Sequence, residues 1–501
     1  MARIVIIGAG MSGLAAASRL ATLGHRVTVC EARGTYGGMV GRYERDGFAF
    51  DTGPGLLTLP AVYRDLALKT GREPLEELVE LAPVDPESRH LFPDGTDLSL
   101  PNASRGGVVR ALDGAFGPGA GERWATVLNH GRTVWEATRR PLLEEPLPAD
   151  RRPLHSDPYP VPGADRRGLF SRLRGPRQWT LADVAAEQLG GHPGLTALLH
   201  EHALRFGLDP RTAPAGATVL PYMEQSFGVW YVRGGLRALA DAFYRRCEQR
   251  KVEFRFDTPV AKVDTRDGRV CGVQTKGDRI DADLVVSSID ARVLHTQWMG
   301  PADSSDDWPA SAERLHGVPG RVSVLLALRG ARPAGTAHRT VVHSGDPAAE
   351  LAGVFDPAVP LSERPTVQVL RPDDPSLHPE GHESVVVTAT APSLDLDWGV
   401  PGTADAFADR MLAQADAAGL GLRERLLWRV VRTPEHTERD AGSFFGSVPP
   451  PALAGVGGEL LQAPNEDFPG LYLTGGAAHP GGGLARVGMS ACIVANLIGP
   501  A

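Results

Sequence analysis

Hydrophobic and polar positions at the start of the chain follow the order strand, glycine turn, helix, strand. Residues 3–7 form a short apolar run, residues 14–24 are rich in helix-forming side chains, and residues 27–31 form a second apolar run. Between the first run and the helix lies Gly8-Ala9-Gly10-Met11-Ser12-Gly13. A strand that enters a helix through this glycine spacing predicts a dinucleotide-binding turn.

Each glycine of this turn has its own physical role. Gly8 permits the tight turn, Gly10 lets the backbone approach a pyrophosphate, and Gly13 lets the helix pack on the strand. The amides that open the helix then face the anion. Glu31 ends the second strand and is placed to accept hydrogen bonds from an unphosphorylated ribose. These residues by themselves suit either FAD or NAD.

The rest of the hydrophobic pattern alternates between strands and helices and predicts an α/β fold with two sheets. The predicted helices cover residues 180–189, 192–206, 213–225, 236–249, 405–418 and 487–498. The predicted strands cover residues 253–256, 260–263, 270–275, 283–289, 320–330, 366–371, 384–391 and 470–474. The helical block before residue 225 is a candidate lid, and the last strand runs into a second glycine-rich junction, 475–483.

Composition narrows the class of protein. The 501 residues are 42% hydrophobic and 22% charged, which is typical of a folded globular chain of more than one domain. A formal net charge of −8 provides no basic field, so nucleic acid is not an expected partner. No apolar stretch is long enough to span a bilayer, and the glycines interrupt any signal-peptide pattern.

The cysteines predict neither a metal site nor a disulfide framework. They are widely separated and lack neighbouring histidines at metal-ligand spacing: Cys30, Cys247, Cys271 and Cys492. We therefore expect reduced thiols in a cytoplasmic protein and no bound metal.

One segment, residues 139–177, departs from the average composition. It contains nine arginines, five acidic residues and many prolines. This composition is typical of a long solvated loop. The alternative interpretation is a basic lip that attracts an anionic membrane surface or an acidic partner, with peripheral membrane association as the consequence.

Several motifs together resemble the phytoene desaturase-like (carotenoid desaturase) branch of the flavin amine oxidase superfamily. They cover the chain in order: 8–13 with Glu31, Gly37-Gly38, 50–54, 231–235, 371–377, 434–440 and 473–483. The resemblance implies a doubly wound, Rossmann-type FAD-binding domain built from residues 1–80, 232–295 and 455–501. It further implies a mixed-sheet substrate domain, 81–135 and 296–454, and an arginine- and proline-rich segment with a helical lid or membrane-facing subdomain, 136–231.

The resemblance also implies which residues hold the FAD. The cofactor-binding set is Gly8, Gly10, Ser12, Gly13, Glu31, Ala32, Arg33, Gly38, Met39, Val260, Gly475, Gly476, Val487 and Met489. In it, Val260 would contact adenine, Gly475 and Gly476 the ribityl region, and the helix start at Val487–Met489 the flavin pyrimidine.

Two positions in this set depart from the family pattern. Many relatives carry a cation where Met39 stands, and Arg42 could supply that charge instead. Many flavin oxidases carry an acid where Gly476 stands. The side-chain contacts to the diphosphate and ribityl chain are therefore open.

The implied activity is desaturation of a C–C bond in a hydrophobic polyene or isoprenoid, such as a phytoene-like carotenoid precursor. The flavin would accept the hydride, so no catalytic side chain is assigned. His479 is a candidate proton acceptor, although a structural role in the turn suits it better. Glu224 and Tyr231 could line the substrate slot, although a solvated or ion-paired surface position suits Glu224 better.

Four alternatives stay open from the sequence. The substrate could be a polyene carried by an acyl carrier protein and dehydrogenated or aromatised. The chain could be an amine oxidase, a flavin-binding protein without turnover, or an NAD-dependent dehydrogenase.

Overall fold

The apolar run at the N-terminus forms an inner strand of a six-stranded sheet in the computed structural model, which describes residues 1–162, 178–294 and 318–501. In sheet order the strands are β10 (Glu253–Arg255), β2 (Arg26–Cys30), β1 (Arg3–Ile7), β14 (Leu284–Ser287), β21 (Leu471–Leu473) and β20 (Glu466–Phe468). The first five are parallel, and β20 is antiparallel to β21. Neighbouring strands thus come from distant parts of the chain, as in a doubly wound sheet.

Fourteen helices are present in the described part of the chain. They are α1 (Met11–Thr22), α2 (Ala61–Gly71), α3 (Leu75–Leu78), α4 (Arg105–Phe116), α5 (Ala120–Arg139), α6 (Leu181–Glu187), α7 (Pro193–Arg205), α8 (Val219–Phe227), α9 (Arg237–Gln249), α10 (Ala291–Val293), α11 (Pro347–Phe355), α12 (Thr403–Ala417), α13 (Pro434–Ala441) and α14 (Leu484–Ile498). Within these described residues, none is both long and apolar enough to cross a bilayer.

Two layers cover the six-stranded sheet. Helices α1, α2, α9 and α14 pack on one face and bury a core that includes Leu14, Leu66 and Phe243. The other face is covered by an antiparallel sheet of β11 (Val260–Arg266), β12 (Arg269–Thr275) and β13 (Arg279–Asp281). Strands of the parallel sheet are therefore buried on both sides, which explains their nearly continuous apolar sequence.

A second sheet has seven strands. Their order is β19 (Leu426–Arg432), β15 (Pro319–Arg329), β18 (His382–Pro392), β17 (Val367–Leu370), β16 (Arg339–Val342), β7 (Ser88–Leu91) and β8 (Asp97–Leu100). Alternate valines and leucines of β15 and β18 pack on α12. Side chains on successive residues of a strand point to opposite faces, so Arg321 and Ser323 lie on the other face.

The remaining elements complete a helical block and two small sheets. Helices α4, α5, α6, α7 and α8 share a third core around the buried Trp124. Helix α6 begins with the predicted capping box, in which Thr180 and Asp183 exchange hydrogen bonds. The small sheets pair β3 (Arg42–Arg45) with β4 (Phe48–Asp51), and β9 (Val229–Val232) with β5 (Leu57–Thr58) and β6 (Leu81–Pro83).

The predicted helices and strands match the corresponding observed ones within a few residues, but further elements were not predicted, among them helix α11 and strands β13 and β20. Strands β7, β8, β16 and β19 were not predicted, because they are short or carry charged residues that hide the period-2 pattern. Helix α14 begins three residues before the predicted start at Val487. Residues 213–225 begin as a 3-10 turn at 215–218 before α8 follows.

Some predictions fall on the undescribed ranges. Residues 163–177, with five of the nine arginines of the arginine-rich segment, lie outside the described residues. So does residue 295, a predicted domain boundary. In the described part of that segment, Arg139, Arg140 and Arg152 each form an ion pair with a nearby acid.

The crossing of α1 over the first glycine turn generates a stability prediction. A Cβ on Gly13 would lie 2.1 Å from the Gly8 carbonyl oxygen, whereas a Cβ on Gly114, on the exposed side of α4, would meet nothing within 4 Å. We expect Gly13→Ala to lower the free energy of unfolding by about 1–3 kcal/mol and to lose flavin. Gly114→Ala is the control and should stabilise by up to about 1 kcal/mol.

Urea denaturation and the flavin content of the purified protein measure both effects. Equal stability and equal flavin content of the two variants would contradict the prediction, because α1 could then move away from the turn without loss of stability or of flavin binding.

Candidate cofactor and substrate site

A single cavity of about 790 Å³ connects the six-stranded sheet with the seven-stranded sheet. We call its two ends the cofactor end, lined by residues that follow β1, β2 and β21, and the inner end, lined by α7, α8 and the strands β15–β18. The predicted cofactor-binding residues line the cavity, with the exceptions of Gly13 and Met489. Gly13 packs against the turn, and Met489 packs against the helical block.

The cofactor end is formed by two glycine turns in backbone contact. Gly8 has a φ of +94°, in the region that favours glycine. The Gly37 amide donates to the Ala9 carbonyl at 2.8 Å, and a Cβ on Gly38 would lie 3.1 Å from the Gly10 Cα. Helix α1 begins at this point with no side-chain cap and no acid in its first turn. Its free amides therefore suit a pyrophosphate, and FAD fits this cradle.

Glu31 lies at the carboxyl end of β2, where the sequence placed it. Its carboxylate accepts hydrogen bonds from the Ala9 amide at 2.7 Å and the Arg33 amide at 3.0 Å. Burial raises the pKa of Glu31 despite these bonds. The side chain of Arg33 is held by Asp440 at 3.3 Å, a residue from one of the motifs that carry the resemblance. Ala32 and Val260 line the same end of the cavity.

The second glycine junction closes on the first. A Cβ on Gly475 would lie 3.2 Å from the Ser12 hydroxyl, and one on Gly476 would lie 2.8 Å from Pro449. The chain thus returns to within contact of α1 after more than 400 residues. Small residues are required at both positions because the backbone segments approach so closely.

The free backbone amides at the start of helix α14 belong to other residues than the predicted Val487–Met489. The Val487 amide donates to the Gly483 carbonyl at 2.9 Å, so it is engaged within the helix. The free amides of an α-helix are those of its N-cap and first three residues, here 483–486. Val487 lines the cavity, whereas Met489, two residues further along the helix, packs against the core of the helical block.

Two arginines supply positive charge near the paired glycines, where Met39 stands. Met39 is 39% exposed. Arg42 lines the cavity, pairs with Glu44 at 2.6 Å and donates to the Gly234 carbonyl. Arg237 also lines the cavity and stacks on Tyr36, with its guanidinium carbon 4.2 Å from the ring centroid. Sequence reasoning did not identify Arg237, although it lies two residues after the motif 231–235.

The inner end contains a buried charge cluster that sequence reasoning missed. Its buried members are Glu87, Glu201, His202, Glu224 and Arg339, and the partly exposed Arg205 joins them through ion pairs. Glu224 accepts from Arg205 and Arg339, both at 2.7 Å. Burial alone would raise the pKa of Glu224, but the two guanidiniums outweigh it and hold the pKa well below its ordinary value. The expectation of a surface acid at Glu224 is therefore wrong, because the side chain is buried and lines the cavity.

The other two residues considered for this region do not line the cavity. The Tyr231 hydroxyl donates to Asp374 at 2.8 Å, and the ring packs with Val84 and Val229. His479 is fully buried and its Nε2 lies 3.0 Å from the Glu145 carbonyl oxygen. Burial lowers the pKa of His479 to about 4. The interpretation of His479 as a structural turn residue agrees with this position.

A metal site is absent from the part of the chain that the structure describes, where no group of three or more histidine, cysteine, aspartate or glutamate side chains could hold an ion. The four cysteines are free.

Comparison with known proteins places these features in a family. The model for flavin containing amine oxidoreductases matches residues 11–499. A 4,4'-diapolycopene oxygenase from Methylomonas sp is 28% identical, over 99% of this chain and 98% of its own length. An all-trans-zeta-carotene desaturase from Myxococcus xanthus is 29% identical, over 99% and 93%. In fold, an oxidoreductase from Methanosarcina mazei is similar with a TM-score of 0.65 and 16% identity, covering 99% of this chain and 100% of its own.

The buried charge cluster generates a pH prediction. Burial, followed by repulsion from Glu224, raises the pKa of Glu87 to about 8 from an ordinary 4.5. Between these values the folded protein keeps a proton that the unfolded chain releases, so the free energy of unfolding falls as pH rises. We expect Glu87→Gln, which cannot ionise, to gain about 3–4 kcal/mol relative to wild type between pH 5 and pH 8, because each pH unit in this range contributes about 1.4 kcal/mol.

Denaturant unfolding at several pH values measures this difference. The control is Glu77→Gln, at an exposed position of α3, for which the difference from wild type should stay constant with pH. A constant difference for Glu87→Gln as well would contradict the raised pKa.

Proposed function

The chain belongs to the flavin containing amine oxidoreductase family, with FAD as its cofactor, and from this premise we propose that it desaturates C–C bonds of a hydrophobic polyene or isoprenoid. A phytoene-like carotenoid precursor is the prototype of this substrate. The observation that carries the proposal is the continuity of the cavity, which leads from the glycine cradle directly onto the face of the seven-stranded sheet. The named activities of the relatives, which concern carotenoids, support the same substrate class.

The walls between the two ends of the cavity are largely apolar. Leu56, Phe206, Val229, Leu370, Val448 and Leu484 contribute to them. Such walls orient an apolar chain and exclude water from the reacting carbons. Bound FAD supplies the acceptor for the hydride that desaturation removes.

Desaturation releases a proton together with the hydride, and we assign no side chain of the cavity as the acceptor of that proton. Glu224 is the carboxylate nearest to the substrate region among the described lining residues, and its low pKa makes it a weak base. Glu31 and Asp440 lie at the cofactor end. Orientation beside the flavin is therefore the contribution of this chain to catalysis.

The protein also has a proposed location, in the cytoplasm with peripheral contact to an anionic membrane. Residues 163–177 contain five arginines and one acid, and each arginine near an anionic surface contributes about 1 kcal/mol. A lipid-borne polyene would be collected at such a surface. An acidic acyl carrier protein is the alternative partner of the same segment.

Anaerobic reduction of the flavin tests the activity. We expect phytoene or zeta-carotene in detergent to bleach the flavin absorption and to yield a product with a longer conjugated system, whereas putrescine should leave the flavin oxidised. Leu56→Gln should slow the reduction about tenfold, because a polar group enters the apolar wall. The control is Leu68→Gln, at a 50% exposed position of α2, which should reduce at the wild-type rate.

Other outcomes favour other functions. Bleaching by putrescine alone would identify an amine oxidase. A flavin that neither class of compound reduces would indicate a binding protein without turnover.

Vesicle co-sedimentation tests the membrane contact. We expect binding to vesicles that contain phosphatidylserine, loss of binding at high salt, and loss of binding when Arg166, Arg167, Arg172, Arg174 and Arg177 are replaced by Gln. Binding to neutral phosphatidylcholine vesicles serves as the control. Equal binding of the wild type and the Gln variant would contradict the role of this segment, and capture by an acyl carrier protein instead would favour the carrier-bound substrate.

A further inference from the structure

Arg321 lies on the cavity face of β15, near the start of the strand. Among the described residues no carboxylate lies within ion-pair distance of it, and its Nη2 donates to the Arg205 carbonyl oxygen. Burial and the nearby Arg205 guanidinium lower the pKa of Arg321 to about 10. The wall of the substrate cavity therefore holds a cation that has no counterion among the described residues.

The charges of the surrounding residues do not balance Arg321. Arg205, Arg321 and Arg339 carry three positive charges, and the carboxylates among them, Glu201 and Glu224, carry two negative charges because the arginines lower the pKa of both. One positive charge is left over. A buried charge without a partner is costly, so the site favours an incoming anion.

The remaining titratable neighbours do not remove this excess. Glu87 holds its proton at neutral pH, since its pKa is about 8. Burial lowers the pKa of His202, which is therefore neutral. The other buried histidines near the cluster, His90 and His343, also have lowered pKa values. Glu350 lines the side pocket beside Arg321, and burial raises its pKa to about 7, so it is only partly ionised at neutral pH. None of these groups supplies a full negative charge.

Polar groups that suit an oxygen-bearing ligand surround Arg321. Gln368, Ser323 and Thr388 lie on the same face of the sheet and line the same cavity. The Nη2 of Arg205 is buried and has no hydrogen-bond partner within the described chain. A side pocket of about 40 Å³ opens between Arg205 and Arg321. The inner end thus offers free donors where a purely hydrocarbon chain would require apolar contacts.

We propose that the substrate is a polyene that ends in a carboxylate, and that Arg321 binds this carboxylate at the inner end of the cavity. The inference rests on the proposed function, because the conjugated chain of the substrate would lie between the apolar walls of the cavity that leads to the flavin. Arg321 then determines specificity, and the unpaired Arg205 donor completes the contact. A guanidinium fork matches the two oxygens of a carboxylate.

A carboxylate fits this site better than a phosphate or diphosphate. It brings one negative charge, which equals the excess in the cluster. A diphosphate would place further negative charge beside Glu201 and Glu224, whose carboxylates are already ionised. Like charges in a buried site repel each other more strongly than they do in water.

Binding of matched ligands tests the proposal. All-trans-retinoic acid and its methyl ester are titrated into flavin-loaded protein, and the flavin difference spectrum gives each Kd. We expect the wild type to bind the acid at least about tenfold more tightly than the ester, as for a charged hydrogen bond. Arg321→Gln should abolish the preference while the Kd for the ester changes little, and Arg321→Lys should retain part of it.

Arg329→Gln is the matched control, since Arg329 is the exposed arginine at the other end of β15. It should keep the full preference for the acid. Flavin content and melting temperature identify any variant that fails to fold. If Arg321→Gln fails to fold, the acid preference of Arg321→Lys tests the proposal instead. Equal binding of acid and ester by the wild type, an unchanged preference in Arg321→Gln or Arg321→Lys, or loss of preference in Arg329→Gln would overturn the proposal.

Two further measurements separate this inference from related ones. A preference for farnesyl diphosphate over farnesol that is larger than the preference for retinoic acid over its methyl ester would overturn the carboxylate assignment. Flavin reduction by phytoene without any preference for the acid would overturn the Arg321 site and leave the desaturase function standing. A preference for the acid, with no polyene able to reduce the flavin, would support the Arg321 site and contradict the desaturase function.

Discussion

The close packing of α1 against the turn that follows β1 is the constraint on which the rest of the structure depends. Gly13 lies against the Gly8 carbonyl with no room for a Cβ. This contact fixes the direction of α1, leaves its first amides free toward the cavity, and places Ser12 beside Gly475. A side chain at the crossing would separate the two glycine junctions. The cofactor end of the cavity therefore exists because backbone meets backbone at these points.

The inner end of the cavity is held together by ion pairs between side chains rather than by backbone contacts. Glu224 is shared by Arg205 and Arg339, which come from a helix of the helical block and a strand of the seven-stranded sheet. These buried ion pairs join two layers of the fold at the place where the substrate would lie. The charges of these residues do not cancel once Arg321 is included. In our proposal, the charge cluster that connects the two layers therefore also attracts an anionic ligand. Structure and selectivity are thus linked at this end.

The secondary structure of the cofactor end could be predicted from the sequence because its signals are local. Strand, turn, helix and acid occur within 31 residues, and the hydrophobic period of long elements such as β15, β18 and α12 is regular. Short strands such as β16 and β7 were missed, since four residues with arginine or histidine among them show no clear period. Membership of a sheet edge is decided by distant partners rather than by the strand's own composition.

By itself, the sequence determined the nucleotide cradle, the α/β class and the flavin family, because each depends on glycine spacing or on periodic burial along a continuous stretch. Only the tertiary structure decided that Glu224 is buried, that Arg237 lines the cofactor end, and that Arg321 has no counterion within the described ranges of the chain. The physical reason is that the charge state and accessibility of a side chain depend on groups far away in sequence. The pairing of charges is therefore known only once the layers have come together.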